Sequence, residues 1–349
     1  MKQRFSTRTR LVSALLTLAM VFTFLPISAF AEEELTDGYG IIPLAEYVLP
    51  DEAFREYLKK FDTNNDGILA PAERYAVTEV VVLSMNISNL YGIQFFPNLK
   101  KLRCSHNQLT SLDVSENTVL DTLYCGDNQL SNLDVSQNTA LKELYCGGNN
   151  LTSLDVSQNA ELEYLYCDDN NLTSLDVSNN PKLYALKCNE NNLTSLDVSK
   201  NTALAELSCG YNQLSSLDVR QNTALQTLYC AQNQLTELDL SRNNKIFELE
   251  ANNNYLTSLN VENTSIDIDN SGLVFAALGN TYPITVGSDR TFDLSTLPGT
   301  FNVTKATRWN GGTVRGNTLT VKAGATKVTY LYDCGKRSSY TFTLNVIPE

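Results

Sequence analysis

Residues Asp62 to Glu73, DTNNDGILAPAE, set oxygen-bearing side chains at the first, third, fifth and twelfth places of a twelve-residue stretch. Asp62, Asn64, Asp66, the carbonyl of Ile68 and a bidentate Glu73 would supply the about six to eight hard oxygens that a calcium ion takes, with Gly67 permitting the sharp turn between them. A second chemistry-bearing set is Cys104, Cys125, Cys146, Cys167, Cys188, Cys209 and Cys230, each 21 residues from the next. Catalysis would need converging acid, base or nucleophile groups. The sole histidine, His106, stands at no recognisable motif spacing from a cysteine or carboxylate. Neighbouring carboxylates such as Asp168 and Asp169 read as a solvated face. No enzyme is expected.

The elements that must hold the acidic loop are legible on either side of it. Phe54, Tyr57, Leu58 and Phe61 recur at the spacing of one helical face, giving an entering helix, and Pro71 followed by Ala72 to Val77 gives a short exit helix. The loop thus meets the EF-hand template position by position. A single loop, where sensors pair two, reads as a calcium ion that stiffens an N-terminal cap; an Asx-rich helix connection holding no ion is the alternative.

The interval of the cysteines is a structural period, the sequence mark of a solenoid. One unit reads Leu99-x-x-Leu102-x-Cys104-x-x-Asn107-x-Leu109-x-x-Leu112-Asp113-Val114-Ser115-x-Asn117, and Leu120 begins the next. Eight units run from Leu99 to about Ile266, the last with Ala251 in the cysteine place and Asn260 in the aspartate place. Val81, Leu83 and Asn86 fit the register once more upstream, as a divergent first repeat. Such erosion suits end repeats, which close the core against water.

Within a unit, Lys101 to Ser105 reads as a strand with Leu102 and Cys104 inward and Lys101, Arg103 and Ser105 outward. Repetition stacks these strands in parallel and in register, about 4.8 Å apart. Leu109, Leu112 and Val114 bring the chain back on the other side. The recurring asparagines at the places of Asn107 and Asn117 suit turn groups that lack sheet partners. The aspartates from Asp113 to Asp239 are expected to bond nearby hydroxyls and turn amides rather than a metal. Thiols side by side at about 4.8 Å do not match the about 3.8 Å that a disulfide wants between Cβ atoms. The ladder is odd in number and Cys334 lies elsewhere, so the cysteines read as buried free thiols acting as small hydrophobes.

The repeat LxxLxCxxNxLTSLDVSxN resembles the leucine-rich repeats of bacterial internalins, specifically the cysteine-ladder type, over roughly residues 99 to 266. The resemblance implies a leucine-rich repeat arc that recognises host or microbial surface molecules, and it carries over no ligand. The expected fold class is an α+β solenoid: a parallel-sheet arc with a short helical cap and a C-terminal all-β sandwich.

Recognition would fall to the outward strand positions on the concave face. One column reads Arg103, Tyr124, Tyr145, Tyr166, Lys187, Ser208, Tyr229, Glu250. With Tyr164 from the neighbouring column and Asp168, Asp169 and Tyr211 from the places after the cysteine, the tyrosines Tyr124, Tyr145, Tyr166 and Tyr229 form the candidate ligand-binding set. Exposed tyrosine also follows from β-propensity and cross-strand packing. Against that, tyrosine is a residue of recognition surfaces. A protein partner suits the breadth of an arc, and a glycan suits tyrosine with aspartate and asparagine. A structural spacer of the cell envelope is the third reading.

Lys2, Arg4, Arg8 and Arg10 precede the apolar stretch Leu11 to Leu25, and Ala29-Phe30-Ala31 closes it with small residues. Residues 1–31 therefore read as a signal peptide cleaved near Ala31, too short for a membrane span, which makes the mature chain secreted or cell-surface without a transmembrane segment. Their removal takes four basic and no acidic residues, leaving 22 against 39 and a net charge of −17. Such acidity repels phosphate backbones and anionic lipid, so nucleic acid is not an expected partner. The cap then covers 32–77, the repeats 78–270 and a last region 271–349. In the last, Tyr282 to Val286, Thr291 to Leu294, Phe301 to Val303, Thr318 to Lys322, Val328 to Tyr332 and Tyr340 to Val346 read as short strands between turns such as Asn310-Gly311-Gly312. This resembles the immunoglobulin-like spacers that follow repeats in bacterial surface proteins.

Overall fold

The computed structural model describes residues 40–266 and 278–349; the expected signal peptide lies outside them. The cap comes first. Helix α1 (Glu52–Leu58) starts where the Asp51 carboxylate accepts the N–H of Phe54, and it buries Phe54 and Leu58 as its spacing requires. The twelve-residue loop leads from it to α2 (Pro71–Ala76), which has proline in its first turn. Mid-loop, β2 (Ile68–Leu69) pairs antiparallel with β1 (Ile42–Pro43). Arg74, buried by α2, ties the cap to the repeats by donating to the carbonyls of Gly40 and Phe95.

Nine strands then form one parallel sheet in chain order. They are β3 (Glu79–Val81), β4 (Lys101–Arg103), β5 (Thr122–Tyr124), β6 (Glu143–Tyr145), β7 (Tyr164–Tyr166), β8 (Ala185–Lys187), β9 (Glu206–Ser208), β10 (Thr227–Tyr229) and β11 (Glu248–Glu250). From β4 onward the register equals the repeat, so Leu102, Leu123 and Leu144 lie side by side. These leucines and the cysteines after them are fully buried, as are Leu109 and Val114 of the returning half. Each strand stays short because a residue in left-handed conformation follows soon after the cysteine, for example Asp127 (φ 53°), Glu190 (φ 54°) and Tyr211 (φ 54°), and turns the chain off the sheet.

The first repeat is phased differently from the sequence expectation. Val80, not Val81, pairs with Leu102, a spacing of 22 residues. Val80 and Val82 are buried, whereas Val81 and Leu83 are 37% and 44% exposed, and Asn86 points to solvent. Four consecutive apolar residues, Val80 to Leu83, carry no alternation from which the phase could be read. The outer edge of β3 is not left bare, since Val81 donates its N–H to the Tyr57 hydroxyl at 2.7 Å.

Two asparagine columns brace the returning halves. Asn128 donates from Nδ2 to the carbonyls of Cys104 and Cys125 at 3.1 and 3.0 Å and accepts the N–H of Leu109 at 3.0 Å. Each rung of this ladder thereby ties its own repeat to the preceding one. In the second column, Asn138 donates to the carbonyls of Val114 and Asn117 at 2.9 and 3.0 Å. From Asn117 to Asn243 this column is fully buried, with Oδ1 unpartnered.

The C-terminal region is all-β. β12 (Thr281–Val286), β18 (Ser338–Pro348), β17 (Lys327–Gly335) and β14 (Ala306–Asn310) make a mixed sheet of four; β13 (Thr291–Asp293), β16 (Thr318–Val321) and β15 (Gly312–Arg315) make an antiparallel sheet of three. Phe301 to Val303, expected as a strand, instead leads into a 3-10 turn at Val303–Lys305. Asn302 caps that turn by accepting the N–H of Thr304, while the Phe301 ring packs on Tyr330 and Tyr332. The region shares its core with the last repeat: the buried Tyr330 donates to the carbonyl of Thr257 at 2.6 Å, and Val261 donates to that of Cys334 at 2.9 Å.

Candidate recognition face

Each strand presents its first and third residues on the face opposite the core. Because the register equals the repeat, equivalent side chains form straight rows across strands. In the third-residue row the rings of Tyr124 and Tyr145 lie 4.2 Å apart with 4° between their planes, and those of Tyr145 and Tyr166 lie 4.3 Å apart at 6°. A cation closes each end of the stack, Arg103 at 5.2 Å from the Tyr124 ring and Lys187 at 4.3 Å from the Tyr166 ring. The result is one continuous column of five side chains from β4 to β8.

The column has consequences for what it can touch. Every ring face in it is covered by another ring or by a cation, so outward contact falls to ring edges and hydroxyls. The Tyr124 hydroxyl donates to the Glu143 carboxylate on the next strand. Partial burial, with the neighbouring phenols adding to it, pushes the Tyr145 and Tyr166 hydroxyls up to about 12, so they remain neutral donors at physiological pH.

The other expected residues are placed less compactly. Tyr164 lies in the neighbouring row and meets Tyr184 at 5.8 Å with tilted rings. Tyr211 is 58% exposed at a left-handed turn position, and Asp169 occupies the equivalent place. Asp168 is half-buried beside Gly147, where a Cβ would come within 3.1 Å of its Oδ1, and burial raises its pKa. Tyr229 is set apart from the stack by Lys187 and Ser208. Arg103, Lys187 and Glu143 contact the tyrosine row and were not among the sequence candidates. Their signal was available: Arg103 and Lys187 stand one repeat beyond the terminal tyrosines of the run.

The cysteines stack beneath this face. All are free and buried, and burial pushes the Cys104 and Cys209 thiols up to about 12. They are packing groups, inert as nucleophiles.

In the acidic loop, Asp62 accepts the N–H groups of Asp66 and Gly67, Asn64 accepts that of Asp66, and Asp66 accepts that of Ile68. Gly67 takes φ +80° with open space where a Cβ would be. Glu73 accepts from the N–H and hydroxyl of Thr63, both at 2.7 Å, and from the N–H of Ala70 at 2.9 Å. These bonds hold its carboxyl below the usual range. The all-oxygen donor set fits a hard cation. In the arrangement described, these carboxylates are spent on loop amides, and no cluster of three or more His, Cys, Asp or Glu able to hold a metal occurs among the described residues.

No family model matches this chain, and no curated protein matches it in sequence. Solved structures do. The internalin InlF of Listeria monocytogenes aligns with 70% of this chain and 79% of its own, at 21% identity and a TM-score of 0.54. Listeria monocytogenes InlP aligns with 88% of this chain and 98% of its own, at 18% identity and a TM-score of 0.56. The chain therefore folds as a leucine-rich repeat solenoid of internalin-like form with a ladder of buried cysteines. Among the described residues no helix is long and apolar enough to cross a membrane.

Proposed function

We propose that this chain is an exported, non-catalytic recognition protein that holds a protein ligand on the concave, outer face of its parallel sheet. The observation that carries this reading is the column Arg103, Tyr124, Tyr145, Tyr166, Lys187. It fixes three large amphipathic side chains in one geometry before any partner arrives, which lowers the ordering cost of binding. It also favours a protein over a glycan, because a sugar ring stacks on an aromatic face and the faces of these three rings are already covered. The acidic loop is read as a calcium site that stiffens the cap, with Asp62, Asn64, Asp66, Glu73 and the Ile68 carbonyl as its oxygens. The all-β region is read as an immunoglobulin-like spacer.

The test is capture from host-cell and microbial surface extracts on the immobilised full chain, with a Tyr145→Ser, Tyr166→Ser double variant alongside. The reading expects a species retained by the parent and not by the variant, lost after protease treatment of the extract and kept after periodate oxidation. A species lost after periodate and kept after protease would favour the glycan alternative. Retention unaffected by the double variant would place the site elsewhere.

A further inference from the structure

The outward residues of the sheet change character between Lys187 and Glu206. Strands β4 to β8 present Lys101, Arg103 and Lys187 against the single carboxylate Glu143. Strands β9 to β11 present Glu206, Ser208, Thr227, Tyr229, Glu248 and Glu250, with three carboxylates and no cation. The register sets Tyr229 between Ser208 and Glu250 in one row, with Glu206 and Glu248 on either side of Thr227 in the next. Three carboxylates therefore surround one ring at neighbouring-strand distances of about 5 to 8 Å.

Two further observations bear on this face. Among the described residues none of these glutamates forms an ion pair, and no ring or cation lies against Tyr229. In the same row, by contrast, the chain places its own cation on each outer face of the tyrosine stack, Arg103 on Tyr124 and Lys187 on Tyr166. Tyr229 has the aromatic surface, its hydroxyl is bonded to the Glu248 carboxylate, and no cation of the described residues lies on its ring.

Resting on the reading of this sheet face as the recognition surface, we infer that β9 to β11 dock an arginine-bearing segment of the partner protein, its guanidinium over Tyr229 and between Glu206 and Glu250. Arginine fits better than lysine because its planar fork stacks on a ring while bonding carboxylates at its edge. The local excess of Glu206, Glu248 and Glu250, in a chain whose net charge is −17 without residues 1–31, draws a basic segment to this end.

The probe is a peptide alternating glycine with arginine, titrated calorimetrically into the full chain at low and physiological salt, with the citrulline counterpart as the uncharged control. Glu206→Gln, Glu248→Gln, Glu250→Gln together are compared with Asp134→Asn, Asp155→Asn, Asp176→Asn, which remove equal charge from the returning halves. The first triple should weaken binding by about tenfold or more and the second by less than about twofold. Tyr229→Leu should weaken it severalfold, and the citrulline peptide should not bind. Equal weakening by both triples, or equal binding of the citrulline peptide, overturns the inference. If that happens while Tyr145→Ser, Tyr166→Ser still abolishes capture of a surface protein, the recognition face stands and only the basic partner falls.

Discussion

The side-chain oxygen of Asn280 accepts the backbone N–H of Asn254 at 3.1 Å, and with it the asparagine ladder passes out of the repeats into the C-terminal strands. Asn280 also accepts the N–H of Leu256 and donates to the carbonyl of Ala251, each at 3.2 Å. These contacts repeat those that Asn254 makes to Leu235 and Cys230. The rung lies 26 residues beyond Asn254 instead of 21, so the period hides it.

Asn280→Ala should therefore destabilise the chain by about 2 to 4 kcal/mol, because buried backbone groups lose their partners. Denaturant unfolding measures the loss. Amide exchange at Asn254 and Leu256 should accelerate more than exchange at Leu130, which is far along the solenoid. Uniform acceleration would mean that Asn280 is not a local rung.

The cysteine column makes a prediction of opposite sign to polarity-based intuition. Cys146→Ser should cost at least as much as Cys146→Ala, since a hydroxyl buried without a partner costs about 1 to 3 kcal/mol and the small cavity left by alanine about 1 kcal/mol. In the native chain the thiols should resist alkylation at neutral pH, and all eight should react after unfolding. Fast labelling of the folded chain would contradict their placement.

Acid should weaken the returning halves. Arg220 and its N–H hold the Asp218 carboxyl down to about 2, and the amide and hydroxyl of the serine two residues on lower Asp134, Asp155, Asp176 and Asp197. Carboxyls lowered in the folded state bring stability that is fully present above the unfolded pKa, about 3.9, and lost as pH falls through the folded values. The melting temperature should be level above about pH 5 and drop below about pH 4. The triple variant Asp155→Asn, Asp176→Asn, Asp197→Asn should show a shallower drop, and an unchanged acid slope would remove these residues from the account.

Calcium should raise the melting temperature of the parent and leave Glu73→Gln unmoved, since the bidentate ligand is then gone. Terbium luminescence sensitised by Tyr57 or Tyr75 gives a second readout. Equal melting of the parent with calcium and with chelator would remove the ion from the cap.

Much of this architecture was legible because it repeats. Leu102 and Asn107 recur in all eight units at identical spacing, and Cys104 and Val114 in seven, so one correct assignment fixes the rest. Where repetition fails, so does legibility. The phase of Val80 to Leu83 was ambiguous because an unbroken apolar run has no alternation, and Phe301 to Val303 looked like a strand because Phe301 and Val303 are apolar for core packing, Phe301 on Tyr330 and Tyr332. The tyrosine row was readable from spacing. Arg103 and Lys187 were legible as the next members of that column, but that each lies on a ring face was not, because cation and ring placement depends on side-chain rotamers that composition does not encode.

The most direct test of the recognition face is the affinity of the captured surface protein for the parent and for Tyr145→Ser, Tyr166→Ser. Melting of both is followed in parallel, because losing two stacked pairs costs about 1 to 3 kcal/mol of stability. The account predicts a loss of about tenfold or more in affinity with the solenoid still folded at the assay temperature. Unchanged affinity in a folded double variant would contradict it.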